Sequence, residues 1–148
     1  MSVQHRLRLV SVATFCLALI PAARADTFTQ INLVSNVPGL AAHTDPNLVN
    51  PWGMSFSATS PFWVADQGTG VSTLYDGAGN ANALVVTIPG SVGGPTGPTG
   101  TVNNSGSAFL LNGTPARFIF SNLNGTISAW NGGTSASVVA STPGAIYT

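Results

Sequence analysis

Lysine and glutamate are missing from the 148 residues, and the whole formal charge rests on Arg6, Arg8, Arg24, Arg117, Asp26, Asp45, Asp66 and Asp76. Charged residues are 5% of the chain, against roughly 25% in an ordinary soluble domain. With no lysine there is no basic surface of the kind nucleic acid demands, so nucleic acid is excluded as a partner. The absence of Glu and Lys also removes the side-chain pairs that solubilise exposed helix faces. Cysteine is nearly absent: Cys16 stands alone inside an apolar run, which leaves no disulfide, thiolate metal site or thiol nucleophile downstream. What is plentiful is Gly, with 17 residues, and Pro, with 10. Both disfavour helix interiors and punctuate turns. The 44% hydrophobic content separates the chain from disordered, charge-rich sequences.

Residues 1–25 read as a secretory signal peptide: Arg6 and Arg8, an apolar run from Leu9 to Ile20, Pro21, then Ala23-Arg24-Ala25 before Asp26. The run is shorter than the roughly 20 residues that span a bilayer as a helix, so no membrane span is expected after cleavage. The expected location is secreted or periplasmic. Cleavage would leave Arg117 against four Asp, a net charge of 1 − 4 = −3.

The remaining 26–148 repeats itself. Three apolar runs end in Pro-Gly, at Pro38-Gly39, Pro89-Gly90 and Pro143-Gly144. Between them, Phe62-Trp63-Val64-Ala65-Asp66, Gly70 and Thr73-Leu74-Tyr75-Asp76-Gly77 match Phe118-Ile119-Phe120-Ser121-Asn122, Gly125 and Ser128-Ala129-Trp130-Asn131-Gly132. Pro51-Trp52-Gly53 corresponds to Pro98-Thr99-Gly100. Each unit carries four β signals: Trp52 to Phe56, Phe62 to Asp66, Val71 to Tyr75 and Leu84 to Ile88, then Thr101-Val102, Arg117 to Asn122, Thr126 to Trp130 and Val138-Val139. Four antiparallel strands in a period of about 50 to 55 residues is the pattern of a propeller blade. The expected fold is all-β, with blade one at about 45–90, blade two at about 98–144, and an N-terminal strand at 30–38 placed to close a ring. Two blades cannot close a propeller, which needs at least four, so the chain reads as the front part of a longer protein.

The strings Asn50-Pro51-Trp52-Gly53 and Gly125-Thr126-Ile127-Ser128-Ala129-Trp130, with Trp63-Val64-Ala65-Asp66-Gln67-Gly68, resemble a family of uncharacterised exported bacterial proteins. That resemblance implies a β-propeller in the style of NHL and gluconolactonase-like repeats, and it brings no established activity to transfer.

Few groups can do chemistry. No Gly-x-Ser-x-Gly elbow and no phosphate-cradling loop with a lysine are present, and no catalytic residue is assigned. The ligand-binding candidates are Asp45, Asn50, Asp66 and Asn122. Asp66 and Asn122 end corresponding strands, so oxygen-bearing side chains would recur at blade edges, where a divalent cation such as calcium or a polar ligand could bind; the plainer reading is an Asx turn opening each hairpin. His43 and Asp45 stand two apart, with a turn-capping role for Asp45 as the simpler account. Trp52, Trp63, Trp130 and Tyr75 are expected to pack between blades. The function expected is a binding or scaffold module, uncertain as an enzyme, for an unknown ligand or a cell-envelope component. The alternative is a metal-assisted hydrolase of the lactonase-like propeller type, whose carboxylates would have to come from further blades.

Overall fold

The computed structural model describes residues 28–90 and 97–148, of which Ile31–Thr148 form one compact unit. The signal segment at 1–25 and residues 91–96 of the connection between the two repeats lie outside the described residues. Among the described residues all regular structure is β, and no helix is long and apolar enough to cross a membrane.

Two four-stranded antiparallel sheets carry the repeat. Sheet 1 runs in the order β3 (Pro51–Ser55), β4 (Phe62–Asp66), β5 (Val71–Tyr75), β6 (Val86–Thr87). Sheet 2 runs β7 (Pro98–Asn103), β10 (Phe118–Asn122), β11 (Thr126–Trp130), β12 (Ser137–Ser141), with the small hairpin β8 (Leu110–Leu111) and β9 (Thr114–Pro115) inserted between its first two strands. Neither sheet closes into a barrel. β4, β5 and β11 have the limits their sequence patterns predict, and the outer strand expected at Leu84 to Ile88 shortens to Val86–Thr87.

Pairing registers make the equivalence of the sheets explicit. Phe62 opposes Tyr75 and Trp63 opposes Leu74; Phe118 opposes Trp130 and Ile119 opposes Ala129. Pro51 opposes Asp66 just as Pro98 opposes Asn122, and a bulge follows each proline at the same place. Gly70 and Gly125 take the left-handed conformation, φ 71° and 74°, in the corresponding hairpin turns, where a side chain would be strained.

Because side chains alternate across a strand, each sheet has two faces. One face of sheet 1 carries Phe62, Val64, Asp66, Thr73 and Tyr75, and its counterpart in sheet 2 carries Phe118, Phe120, Asn122, Ser128 and Trp130. The opposite face of sheet 1 carries Trp63, Ala65, Ser72 and Leu74, and its counterpart carries Ile119, Ser121, Ile127 and Ala129. The core lies between the Trp63 face of sheet 1 and the Phe118 face of sheet 2. Trp63 stacks on Phe118 at 4.2 Å and tilts against Trp130 at 4.6 Å, within the range at which ring pairs attract beyond simple burial. Unlike faces therefore meet, and the packing is head to tail. The innermost strands also approach closely: a Cβ on Gly53 would lie 2.8 Å from the Gly100 Cα, which explains glycine at position 53.

The N-terminal strand departs from expectation. In place of a single run at 30–38, β1 (Val34–Ser35) pairs in parallel with β2 (His43–Thr44), a two-residue ribbon with no register in either large sheet. The aromatic residues divide as well: Trp63 and Trp130 are buried, whereas Trp52 and Phe56 are exposed.

Candidate functional site

Three of the four candidate side chains converge on the β4–β5 hairpin. The segment at 45–50 wraps its turn: the Gln67 and Gly68 amides donate to the Asn50 and Val49 carbonyls, and the Thr69 hydroxyl donates to the Asn47 carbonyl at 2.7 Å. Asn50, at φ 50°, a conformation Asn tolerates better than most residues, donates through Nδ2 to Gln67 Oε1 at 2.7 Å. Asp45 accepts the Asn47 amide on Oδ1 at 2.8 Å, the turn cap foreseen from sequence, and its Oδ2 accepts the Tyr75 hydroxyl at 2.7 Å. His43 sits in β2 and joins none of these bonds.

Asp66 is fully buried. Its Oδ2 accepts both the Thr73 amide at 3.0 Å and the Thr73 hydroxyl at 2.7 Å, across the hairpin, and Oδ1 has no partner. The Asx turn expected at this position is therefore replaced by a cross-strand bond. Burial pushes the carboxyl up to about 7, against the opposing pull of the Thr73 bonds and with a further small rise from the Asp45 charge. A carboxyl in that condition is about half protonated at pH 7. Burial likewise raises the Tyr75 hydroxyl above its usual range, assisted by its bond to Asp45.

Asn122, the fourth candidate, occupies the Asp66 position of sheet 2 and is equally buried. It sits on the face packed against sheet 1, and no bond links it to the Asp45, Asn50 and Asp66 group. Its Nδ2 donates to Thr126 Oγ1 at 3.0 Å, to the Thr126 carbonyl at 3.3 Å and to Ser128 Oγ at 3.4 Å, while Oδ1 is unpartnered. The two strand ends thus use the same cross-hairpin partner, Thr73 or its counterpart Ser128, with donor and acceptor reversed. As a cation site the arrangement is poor. Asp66 offers one free oxygen on a carboxyl whose ionised form burial disfavours, and among the described residues no three His, Cys, Asp or Glu side chains gather.

Sequence reading missed a groove on the free face of sheet 1. It has a volume of about 560 Å³ and is lined by Met54, Phe62, Val64 and Tyr75 of the sheet together with Leu33 and Leu48. Half-exposed Trp52 stands at its rim. The signal was present in the alternation of β4, whose two faces are both apolar.

No known family matches the chain, and no solved structure matches it. Two uncharacterized proteins of Acanthamoeba polyphaga mimivirus are similar to it: one is 36% identical over 113 residues, covering 73% of this chain and 28% of the relative, and the other is 38% identical over 89 residues, covering 60% and 24%. The chain spans about a quarter of the length of these relatives. They overturn the resemblance to exported bacterial proteins. Strings such as Asn50-Pro51-Trp52-Gly53 mark a bulged strand start with Gly53 against Gly100, a local structure that does not by itself identify a family.

Proposed function

We propose that the chain is an exported, propeller-type β-repeat protein that serves as a binding or scaffold module. One observation carries the reading: equivalent four-stranded sheets meet by unlike faces, Trp63 of one against Phe118 and Trp130 of the next. Head-to-tail contacts of this kind extend around a ring or along a stack, and in a propeller the loops at the sheet ends face the ligand. The 45–50 segment and the Gln67–Thr69 turn form such a loop pair in sheet 1, polar and partly exposed, with Asn50 at its surface. Export is proposed from the pattern of residues 1–25.

The buried, bonded state of Asp66 and Asn122 favours binding over a metal-assisted hydrolase, because neither presents a ready ligand set. A screen of the 148-residue chain against cell-envelope glycans and envelope proteins tests this, with Asn50→Ala as control. Binding lost in Asn50→Ala supports a loop-borne site, and uniform failure to bind leaves a structural scaffold. Stoichiometric calcium that raises the melting temperature and disappears in Asp66→Ala would overturn the reading in favour of the hydrolase.

A further inference from the structure

The groove on sheet 1 has a filled twin inside the same molecule. Its Phe62, Val64 and Tyr75 occupy the register positions of Phe118, Phe120 and Trp130, and in sheet 2 those three rings receive the Trp63 side chain at centroid distances of 4.2, 6.3 and 4.6 Å. The socket that accepts a strand-borne aromatic is therefore present twice: that of sheet 2 holds Trp63, and that of sheet 1 is an open groove walled by Leu33 and Leu48 of the chain's own N-terminal segment. The position of the matching knob is also present twice, with an aliphatic residue in sheet 2. Ile119 takes the Trp63 position in sheet 2, beside Ile127 and Val102, and this face turns away from sheet 1 with Val102 54% exposed.

We propose that the free face of sheet 1 docks the free face of sheet 2 from a second copy of this chain. The contact continues the interface already built between the two sheets: the same face types meet in the same order, so an added copy extends the stack. Such an interface is heterologous, and repeated docking yields a ring when the rotation closes. It also covers two apolar faces that would otherwise invite non-specific association. Neither face carries a charge at its centre. Met54, 65% exposed, and Val102 lie on the two faces without being part of the core between the sheets, so they can be altered with little effect on folding. The proposal rests on the head-to-tail reading above and names the partner it lacks.

Sedimentation of the 148-residue chain over about 1 to 100 µM provides the test, a range that spans weak to moderate association. The unmodified chain is expected to gain mass with concentration. Met54→Asp blocks one face and Val102→Asp blocks the other, so each alone stays monomeric, while an equimolar mixture forms a one-to-one dimer and nothing larger. Ile119→Trp restores the aromatic knob and tightens association about three- to tenfold, as an added ring pair should. A chain monomeric throughout the range, or single variants that associate as well as the unmodified chain, or a mixture without dimer, would overturn the proposal. Tryptophan fluorescence of a Trp52→Phe chain, whose remaining indoles Trp63 and Trp130 are buried, distinguishes failures: a buried signal with no association leaves the repeat reading standing, and a solvent-exposed signal removes both.

Discussion

Sheet 1 and sheet 2 share registers, bulge positions and hairpin glycines, yet differ where β4 and β10 end. One closes on Asp66 accepting from Thr73, the other on Asn122 donating to Ser128 and Thr126. The backbone plan is thus independent of which polar group closes the hairpin; what it requires is one buried side chain able to bond across to the next strand. Charge enters only in sheet 1, and with it a sensitivity to pH that sheet 2 lacks. The faces differ as well. Where sheet 1 presents Trp63, sheet 2 presents Ile119, so the contact between the sheets depends on a residue that the repeat does not preserve.

The largest effect should come from removing that residue. Trp63 is 2% exposed and touches Phe118, Phe120 and Trp130. Trp63→Ala is expected to cost about 3–5 kcal/mol, as large-to-small core changes do, measured by urea denaturation. The equivalent Ile119→Ala should cost much less, because Ile119 is only partly buried. Equal losses at the two positions would break the view that the sheets meet by unlike faces.

The next effect is a pH dependence confined to sheet 1. Asp66 has its folded value raised from 3.8 to about 7, so the folded protein holds a proton that the unfolded chain releases. The stability from that proton is complete below about pH 4 and is lost as pH rises through 7. One unit corresponds to about 1.4 kcal/mol, giving a decline of order 2–4 kcal/mol across the window. Asp66→Asn should flatten the profile by giving sheet 1 the side chain that sheet 2 already uses, and Asn122→Asp should create a second decline. Melting temperatures from pH 4 to 8 read both outcomes, and an Asp66→Asn profile parallel to the original would assign the dependence elsewhere.

A smaller difference separates the paired glycines. A Cβ at Gly53 meets backbone, the Gly100 Cα at 2.8 Å and the Thr101 nitrogen at 2.9 Å, whereas at Gly100 it meets only the Ser121 hydroxyl at 2.6 Å. A hydroxyl can rotate aside and a strand cannot. Gly53→Ala should therefore destabilise by about 1–3 kcal/mol, in the range of overpacking, and Gly100→Ala by less than half of that.

The strands were legible in sequence at the central hairpins. β4, β5 and β11 each carry a five-residue run of strand-forming residues with a turn glycine close by, and their predicted limits hold. The ribbon of β1 and β2 was not legible, since two paired residues carry no period. Val86–Thr87 fell short of the predicted run because the Asp76 turn first brings Ala81 and Asn82 back beside Tyr75 and Leu74, after which the chain leaves β5 and regains its register only at Val86. At the site, the turn cap at Asp45 could be read from its neighbours, but its bond to Tyr75 spans 30 residues. Asp66 looked like a turn opener because its partner Thr73 becomes adjacent only once the hairpin has formed.

Tyr75 offers the finest test of the comparison. Its counterpart Trp130 donates through Nε1 to the Gly133 carbonyl at 2.9 Å, three residues along its own loop, while the Tyr75 hydroxyl reaches Asp45 in a separate segment. The same strand end therefore ties sheet 2 to itself and ties sheet 1 to the 45–50 wrap. Tyr75→Phe keeps the ring in the groove and deletes the tie, leaving Asp45 Oδ2 without its donor, at a cost of about 1 kcal/mol. Hydrogen exchange should locate the change: the Asn47 and Gly68 amides exchange faster while the β10 and β11 amides do not. Acceleration spread over both sheets would mean that the bond supports the whole fold, and the contrast between a self-contained sheet 2 and a strapped sheet 1 would be lost.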